Sequence, residues 1–176
     1  MPVSPTPADF PDLYFRSALG RFPSGVTVVT AEHPDTGLPL GLTISSFSSV
    51  SLNPPMVLWT LTHSASSLPA FLRIERYVIH ILSASQVELA RRFSRGPQTE
   101  RFAGLDLDRA PNGTLMLGDP RCAAWFECRN VQRHPAGDHT ILVGQVEHCQ
   151  RQLIAPLIYH AGDFDLTPAS EPLSRN

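Results

Sequence analysis

The sequence predicts a mainly β domain with flanking helices, in which antiparallel strands close into a barrel. Six or seven segments have the composition of strands, and most sequence neighbours are joined by hairpin-sized turns. The chain has 176 residues with no visible repeat or linker, which indicates one domain. No G-x-G-x-x-G motif follows a strand, so a Rossmann dinucleotide fold is disfavoured.

The first half of the predicted domain, residues 9–166, begins with a helix and a hairpin. Residues 1–8 are expected to be a flexible leader and residues 167–176 a flexible tail. Apolar residues at helical spacing predict an amphipathic helix over 9–22, which ends at Pro23 and Gly25. Residues 26–31 and 38–47 are predicted strands, with turn chemistry at 35–37 between them. A third, largely buried strand is predicted over 55–62.

Helices and strands alternate in the second half. Ser66 and Ser67 are expected to cap a short helix over 68–74, before a strand over 77–82. Ser85 and Glu88 have the spacing of a capping box that opens a further helix. The Gly-, Pro- and Arg-rich stretch 95–104 is predicted to be mobile. Two long strands, 123–133 and 139–150, form a hairpin across 135–138, and residues 156–160 form a final strand.

Composition excludes several classes of function. The formal net charge is −2, which gives no reason to expect nucleic acid or an anionic membrane as a partner. No apolar run approaches the ~20 residues of a membrane span, and the N-terminus lacks the features of a signal peptide, so a cytoplasmic location is predicted. All 14 basic residues are arginine, which excludes a lysine Schiff base and a Walker lysine.

The most informative segment is 41–55, which carries six hydroxyl side chains around Phe47 and ends in two prolines. A strand that only filled a core would use Val, Ile and Leu at these positions. Small hydroxyl residues instead allow a flat ligand to approach the backbone donors. A solvated strand is the alternative, but Ser45–Ser46 and Ser48–Ser49 place hydroxyls on both faces, which favours ligand binding.

Weaker signals lie at 63–67 and 137–139. The serines of 63–67 open a predicted helix and could bind phosphate, or they could serve only as helix caps. His139 follows a Gly-Asp hairpin tip and could orient a cofactor, or it could be a solvated neighbour of the turn. The histidines lack metal-ligand spacing, so no metal is predicted. Cys122 and Cys128 are interpreted as small core residues, without a disulfide.

Several blocks, taken in order, resemble the short-chain flavin reductase family. They cover nearly the whole chain, from residue 10 to residue 164. The blocks are 15–30, 41–55, Phe93, 101–104 (Arg-Phe-Ala-Gly), 125–128 (Trp-Phe-Glu-Cys), 137–146 (beginning Gly-Asp-His) and 156–159 with Gly162.

The resemblance implies an FMN-binding split barrel that forms a homodimer. It implies a reductase that transfers hydride from NADH or NADPH to FMN or FAD and supplies a separate monooxygenase. It places His139 by the nicotinamide as the candidate catalytic residue, with Tyr159 and His160 bordering that site. The flavin ring would lie along 43–46, and Phe93 would sit near its tail. The implied cofactor-binding residues in full are Thr43, Ile44, Ser45, Ser46, Ser51, Ser64, Ser66, Ser67, Phe93, Tyr159 and His160.

One departure from the family pattern concerns the phosphate. Some relatives carry a basic residue in the segment equivalent to 63–67, where this chain offers only His63. A weaker grip on the flavin phosphate is therefore expected, and the choice between FMN and FAD stays open. Two other functions also stay open: a reductase of another acceptor, such as a corrinoid or a ferric complex, with retained flavin, and a non-enzymatic flavin- or haem-binding barrel. The sequence decides neither the pyridine nucleotide nor the partner oxygenase.

Overall fold

The structure, a computed structural model, describes residues 10–165. The predicted leader 1–8 and tail 167–176 lie outside these residues. Within them are four α-helices and a 3-10 turn at Ala84–Gln86. The helices are α1 (Asp12–Leu19), α2 (Leu68–Phe71), α3 (Val87–Ser94) and α4 (Gln98–Phe102). The twelve strands are β1 (Ser24–Gly25), β2 (Thr27–Glu32), β3 (Pro39–Ile44), β4 (Ser48–Leu52), β5 (Pro55–Thr62), β6 (Arg76–Ile81), β7 (Leu107–Arg109), β8 (Leu115–Leu117), β9 (Ala124–Ala136), β10 (His139–Arg151), β11 (Ile158–His160) and β12 (Asp163–Asp165).

Seven strands form one antiparallel sheet in the order β3-β2-β6-β9-β10-β5-β4. Its two edge strands, β3 and β4, are consecutive in sequence and joined only by residues 45–47. That link spans at most about 15 Å, at ~3.8 Å per Cα step, whereas six strand spacings across a flat sheet measure about 29 Å. The sheet must therefore curl until its edges approach each other. The predicted antiparallel β architecture is confirmed.

Two small sheets accompany the barrel. In one, β11 pairs with both β1 and β12; the other is the hairpin β7–β8. The long hairpin β9–β10 turns through Gly137 and Asp138, and Gly137 has φ of +61°, a conformation that suits glycine. This turn is tighter than the predicted connection over 135–138, because Pro135 and Ala136 belong to β9.

The barrel core is organised around Trp59, which is fully buried. Its ring meets Phe71 and Tyr77 edge-on, with centroids 5.2 and 5.6 Å away. A second apolar cluster lies beneath α3 and α4, where Phe93 and Phe102 pack together with Leu82 and Leu157. Leu82 directly follows β6, and Leu157 directly precedes β11. Strand β5 alternates buried and partly exposed residues, so the prediction that it is largely buried holds for one face only.

Several predicted elements differ in extent. The helix predicted over 9–22 is confined to Asp12–Leu19 and buries none of its residues. The strand predicted over 38–47 ends at Ile44, because the chain must leave one sheet edge and join the other within three residues. The helix predicted over 68–74 ends at Phe71, and Ser67 at its start makes no capping hydrogen bond. The strand predicted over 156–160 is confined to Ile158–His160, and it is followed by β12.

Other predictions named the wrong residues or the wrong type of structure. The capping box is formed by Ser83 and Gln86, whose Oε1 accepts from the Ser83 main-chain N–H at 2.9 Å, and not by Ser85 and Glu88. Residues 95–104 contain α4, which is anchored by the buried ring of Phe102, and are not simply a mobile loop. The short strands β7, β8 and β12 were not predicted, since three residues are too few for a periodic pattern.

The cysteines match their interpretation as core residues. Cys122 and Cys128 are buried free thiols whose pKa burial raises, while Cys149 is exposed. Within residues 10–165, no group of three or more His, Cys, Asp or Glu side chains is arranged to hold a metal ion. None of the helices in this range combines the length and the apolar run needed to cross a bilayer.

Candidate functional site

A cavity of about 380 Å³ opens where the end of β3 faces α3, α4 and the end of β5. We call it the hydroxyl cavity because serines and threonines make up much of its lining. The lining residues are 42–46, 60–62 and 65–67, with Phe93, Ser94, Gln98, Arg101 and His139. Ligand sites in proteins typically occupy about 300–1,000 Å³, so the hydroxyl cavity is large enough for part of a small molecule.

Two of the lining hydroxyls hold the walls together. Thr43 Oγ1 donates to the carbonyl of Ala90 at 2.7 Å and so ties β3 to α3. Ser46 Oγ accepts from the main-chain N–H of Thr60 at 2.9 Å and lies 3.3 Å from the carbonyl oxygen of the same residue. Ser46 thereby joins the link between the two sheet edges to β5. These two side chains shape the site through contacts with the protein itself.

Other lining hydroxyls are available to a ligand. Ser45, Ser66 and Ser67 make no side-chain hydrogen bond with any residue in the described part of the chain, and Ser67 is 8% exposed. The buried Ser67 hydroxyl would gain a hydrogen bond when a polar ligand arrives, whereas Ser45 and Ser66 are exposed and would exchange water for the ligand. None of the lining hydroxyls bonds to a histidine or carboxylate within residues 10–165, so the lining offers binding groups rather than an activated serine.

The wall formed by α3 and α4 depends on Gly41 of β3. A Cβ atom at this position would lie 2.5 Å from Phe93 Cε1 and 2.8 Å from Phe102 Cζ. The two rings form an edge-on pair with centroids 4.9 Å apart. The main chain of Gly41 also accepts from Arg101 Nη1 at 2.7 Å and donates to Gln98 Oε1 at 2.9 Å. Gly41 is therefore the point at which α3 and α4 dock on the barrel.

Arg101 is the charged residue among the lining residues that the sequence did not predict for the site. Its guanidinium donates to the carbonyls of Gly41 and Gly96 and meets no carboxylate within the described residues. Burial without a counter-charge lowers its pKa. The sequence signal was the Arg-Phe-Ala-Gly block, but the segment was predicted to be mobile. The helix α4 is what brings Arg101 to the cavity.

His139 reaches the hydroxyl cavity through strand register. It begins β10 directly opposite Thr62, the last residue of β5, so it faces the serines that follow. Its Nδ1 lies 2.6 Å from Asp138 Oδ1, and this hydrogen bond is the main cause of the lowered pKa of Asp138. His63 lies nearby but directs its Nε2 toward Thr140 Oγ1, at 3.1 Å.

A second cavity, of about 290 Å³, adjoins the first. It shares Thr43, Ile44, Ser45 and Ser94 with the hydroxyl cavity, and Tyr159 and Phe164 form its far side. The rings of Tyr159 and Phe164 pack against each other with centroids 5.4 Å apart. The shared wall means that two ligands could lie side by side over the end of β3.

The structure brings most of the predicted site residues together. Those that line the hydroxyl cavity are Thr43, Ile44, Ser45, Ser46, Ser66, Ser67, Phe93 and His139. Tyr159 lines the adjoining cavity, and His160 follows it in β11. Ser64 bonds Thr62 outside the lining, at 3.1 Å between hydroxyls. Ser51 lies on β4, where its Oγ accepts from the main-chain N–H of Asn53.

The donors of the hydroxyl cavity suit an elongated, anionic ligand with a flat ring. Hydroxyl groups and main-chain donors lie at its β3 end, an aromatic ring lies on one side, and an uncompensated guanidinium lies beside α4. Hydroxyl donors and an arginine are the groups that recognise phosphate in proteins. A nucleotide with a flat aromatic ring matches this set.

Comparison with known proteins gives the same class of ligand. The model of the "flavin reductase like domain" family matches residues 19–167. The chain is 45% identical over 150 residues to the FMN reductase (NADH) SmoA of Agrobacterium fabrum, which covers 85% of this chain and 83% of that protein. It is 40% identical over 149 residues to the stachydrine N-demethylase reductase subunit Stc3 of Rhizobium meliloti, covering 85% of this chain and 63% of Stc3.

Solved structures share the architecture. The chain superposes on the NADH:FAD oxidoreductase SgcE6 of Streptomyces globisporus with a TM-score of 0.83 and 29% identity, covering 94% of this chain and all of that one. A further structure of SgcE6 contains NAD and FAD fragments. An oxidoreductase of Sinorhizobium meliloti matches with a TM-score of 0.83 and 35% identity, and this chain spans 53% of its length.

Proposed function

The chain belongs to the flavin reductase-like family, and we propose that it oxidises NADH to reduce free FMN or FAD for a separate monooxygenase. The observation that carries this proposal is the hydroxyl cavity, where unpartnered serines, an aromatic ring, Arg101 and His139 converge. A relative that is 40% identical is the reductase subunit of an N-demethylase, and this supports the role as a supplier of reduced flavin.

The residues of the cavity fit a flavin by their chemistry. We assign the segment 43–46 to the ring, with main-chain N–H groups near Ser45 and Ser46 stabilising negative charge at its pyrimidine edge, as an oxyanion hole does. Ser66, Ser67 and Arg101 would hold the phosphate, and Phe93 would pack beside the ribityl chain. When bound, flavin supplies the acceptor for a hydride, at its ring atom N5.

The protein's own contribution to the reaction is orientation. The adjoining cavity beside Tyr159 shares residues 43–45 with the hydroxyl cavity, so it offers room for part of a nicotinamide dinucleotide whose nicotinamide stacks on the flavin ring. His139, held by Asp138, lines the hydroxyl cavity itself and would contact the nicotinamide where that ring lies on the flavin. Two rings held about 3–3.5 Å apart react as though unimolecular, so no general acid is needed for the hydride step.

We propose that Arg101 offsets the expected weakness in phosphate binding. The sequence offered only His63 near the serines, and that side chain is engaged by Thr140. We propose that Arg101, which comes from α4, takes the place of the basic residue that some relatives carry in the segment equivalent to 63–67. Its two anchoring carbonyls, those of Gly41 and Gly96, fix the guanidinium but leave its charge uncompensated.

We also propose that the protein is a homodimer in the cytoplasm, as the family resemblance and the composition predict. Helix α1 buries none of its residues, and Leu13, Tyr14, Leu19 and Phe22 are between 58% and 79% exposed. An apolar helix exposed to this extent in one subunit is typical of a surface covered by a partner. A second copy of the chain is the partner that the family pattern favours.

The test is NADH oxidation by the purified protein, followed by nicotinamide absorbance, with FMN, FAD or no added flavin. We expect oxidation that saturates with added flavin and is slow without it. Flavin that stays bound through purification and turns over without added flavin would favour a reductase of another acceptor. A folded protein that binds flavin but never oxidises NADH would exclude the proposed reaction.

A further inference from the structure

An arginine-rich hollow of about 560 Å³ adjoins the hydroxyl cavity, and Arg101 lines both. We call it the arginine hollow. It lies between the C-terminal half of α3 and the start of α4 and is lined by Glu88, Arg91, Arg92, Arg95, Glu100 and Arg101. Four arginines against two glutamates leave a charge of +2 here, in a chain whose net charge is −2. No step of the proposed reaction uses this hollow.

Most of the positive charge in the arginine hollow has no carboxylate partner within the described residues. Arg91 pairs with Glu88 at 2.7 Å. Arg92 donates instead to the main-chain carbonyls of Glu100 and Ala103. Arg95 makes no hydrogen bond or ion pair with any residue in 10–165, and its side chain is exposed. The hollow therefore resembles a prepared anion site more than a solvated network of ion pairs.

The guanidinium groups of Arg92 and Arg101 still have N–H donors available for a ligand. Arg92 and Arg101 each make three hydrogen bonds to main-chain carbonyls, and a guanidinium has five N–H donors. Carbonyl groups fix the planes of the two guanidinium groups without neutralising their charge. By contrast, the pKa of Arg73, Arg76 and Arg109 is raised by carboxylate partners, whereas that of Arg101 is lowered by burial.

We propose that the arginine hollow binds the diphosphate of a dinucleotide whose ring occupies the cavities beside it. This inference rests on the proposed function and extends it. One phosphate near Arg101 is sufficient for FMN, whereas a diphosphate continues past Arg101 toward Arg92 and Arg95. Planar guanidinium groups recognise phosphate oxygens in pairs, and several of them around one hollow suit two adjacent phosphates. Both FAD and NADH carry this chemical group.

The direct test uses ADP, which carries the diphosphate without flavin or nicotinamide. Calorimetric titration is expected to show ADP binding more tightly than adenosine. Arg95→Gln should weaken ADP binding about three- to fivefold, the loss of one exposed charge-assisted contact. Because the Arg95 side chain has no hydrogen bond or ion pair to lose within residues 10–165, folding should be preserved, and thermal melting checks this. Arg151→Gln, which removes an equally exposed charge on β10, is the matched control and should leave ADP binding unchanged.

Kinetics distinguish the source of the diphosphate. If FAD occupies the hollow, Arg95→Gln raises KM for FAD more than KM for FMN. If the nicotinamide dinucleotide does, the same variant raises KM for NADH with FMN as acceptor. Either result supports the proposal. Equal affinity for ADP and adenosine, or identical behaviour of the Arg95 and Arg151 variants, would overturn it. Failure of the unmodified protein to oxidise NADH with any flavin would instead refute the proposed function, and the ADP titration would remain interpretable.

Discussion

Replacing Gly41 by alanine tests whether the docking of α3 and α4 forms the functional site. The added Cβ would lie 2.5 Å from Phe93 Cε1 and 2.8 Å from Phe102 Cζ, where carbon atoms normally stay about 3.5 Å or more apart. Neither ring can swing into solvent, since Phe93 is 0% and Phe102 8% exposed. The two helices must therefore move away from β3 by roughly 1 Å.

Overpacking of this kind costs about 1–3 kcal/mol. For a domain of this length each 1 kcal/mol lowers Tm by about 2–4 °C, so we expect a decrease of roughly 2–12 °C. The same movement weakens the bond between Arg101 Nη1 and the Gly41 carbonyl, which measures 2.7 Å. A guanidinium displaced in this way would lose part of its charge-assisted contact with the FMN phosphate, worth about 1 kcal/mol, and KM for FMN should rise about fivefold.

The assays are calorimetric melting and steady-state NADH oxidation with varied FMN. Gly25→Ala is the matched control, because a Cβ at that position meets nothing within 4 Å. We expect the control to melt and react as the unmodified protein does. If Gly41→Ala melts within about 1 °C of the control and keeps its KM for FMN, the contact of Gly41 with the two rings does not shape the site, and the reasoning is refuted.

Three further predictions concern pH, the nicotinamide and the dimer. His80 is fully buried, and burial lowers its pKa to about 3. As the pH falls below about 6.5, this histidine takes up a proton in the unfolded chain but stays neutral in the folded protein. The free energy of unfolding should fall by up to about 1.4 kcal/mol per pH unit from about pH 6 to pH 3, and denaturant titrations of His80→Gln should show a smaller slope; equal slopes contradict this. His139→Ala should raise KM for NADH about tenfold while KM for FMN changes little. Asp138→Asn should have a smaller effect in the same direction. An unchanged kcat/KM for NADH in His139→Ala would refute the role of His139 in nicotinamide binding. Leu13→Glu on α1 should convert dimers to monomers in sedimentation velocity, unlike Leu153→Glu at a leucine of similar exposure; an unmodified protein that sediments as a monomer contradicts the dimer.

Local patterns were sufficient for the elements whose burial alternates or whose turns are short. The strand Pro55–Thr62 lies where its β-branched and aromatic residues predicted it, and the hairpin β9–β10 turns at the predicted Gly-Asp pair. These elements follow from near-neighbour chemistry, because side-chain alternation and a positive φ are properties of a few consecutive residues. Helix α4 was missed for the opposite reason: a five-residue helix gives no periodic signal.

Within the site, the sequence identified the hydroxyl residues but not their separate tasks. The hydroxyl-rich segment 41–55 shows no break in its pattern, yet within residues 45–47 the chain crosses from one edge of the sheet to the other. The Thr43 hydroxyl consequently bonds to Ala90 and the Ser46 hydroxyl to Thr60, while the Ser45 hydroxyl has no hydrogen-bond partner within the described residues. Which hydroxyl remains available depends on partners 14 and 47 residues away in sequence.

The sequence by itself determined the antiparallel β class, the family and the neighbourhood of the site, since each rests on composition and on the order of short motifs. Tertiary structure alone decided that Arg101 reaches the hydroxyl cavity and that His139 faces the serines from across a strand pair. The physical reason is the curl of the sheet. Closing it brings the ends of β3 and β5 together, and the lack of a side chain at Gly41 lets α4 pack against β3 so that Arg101 lines the cavity.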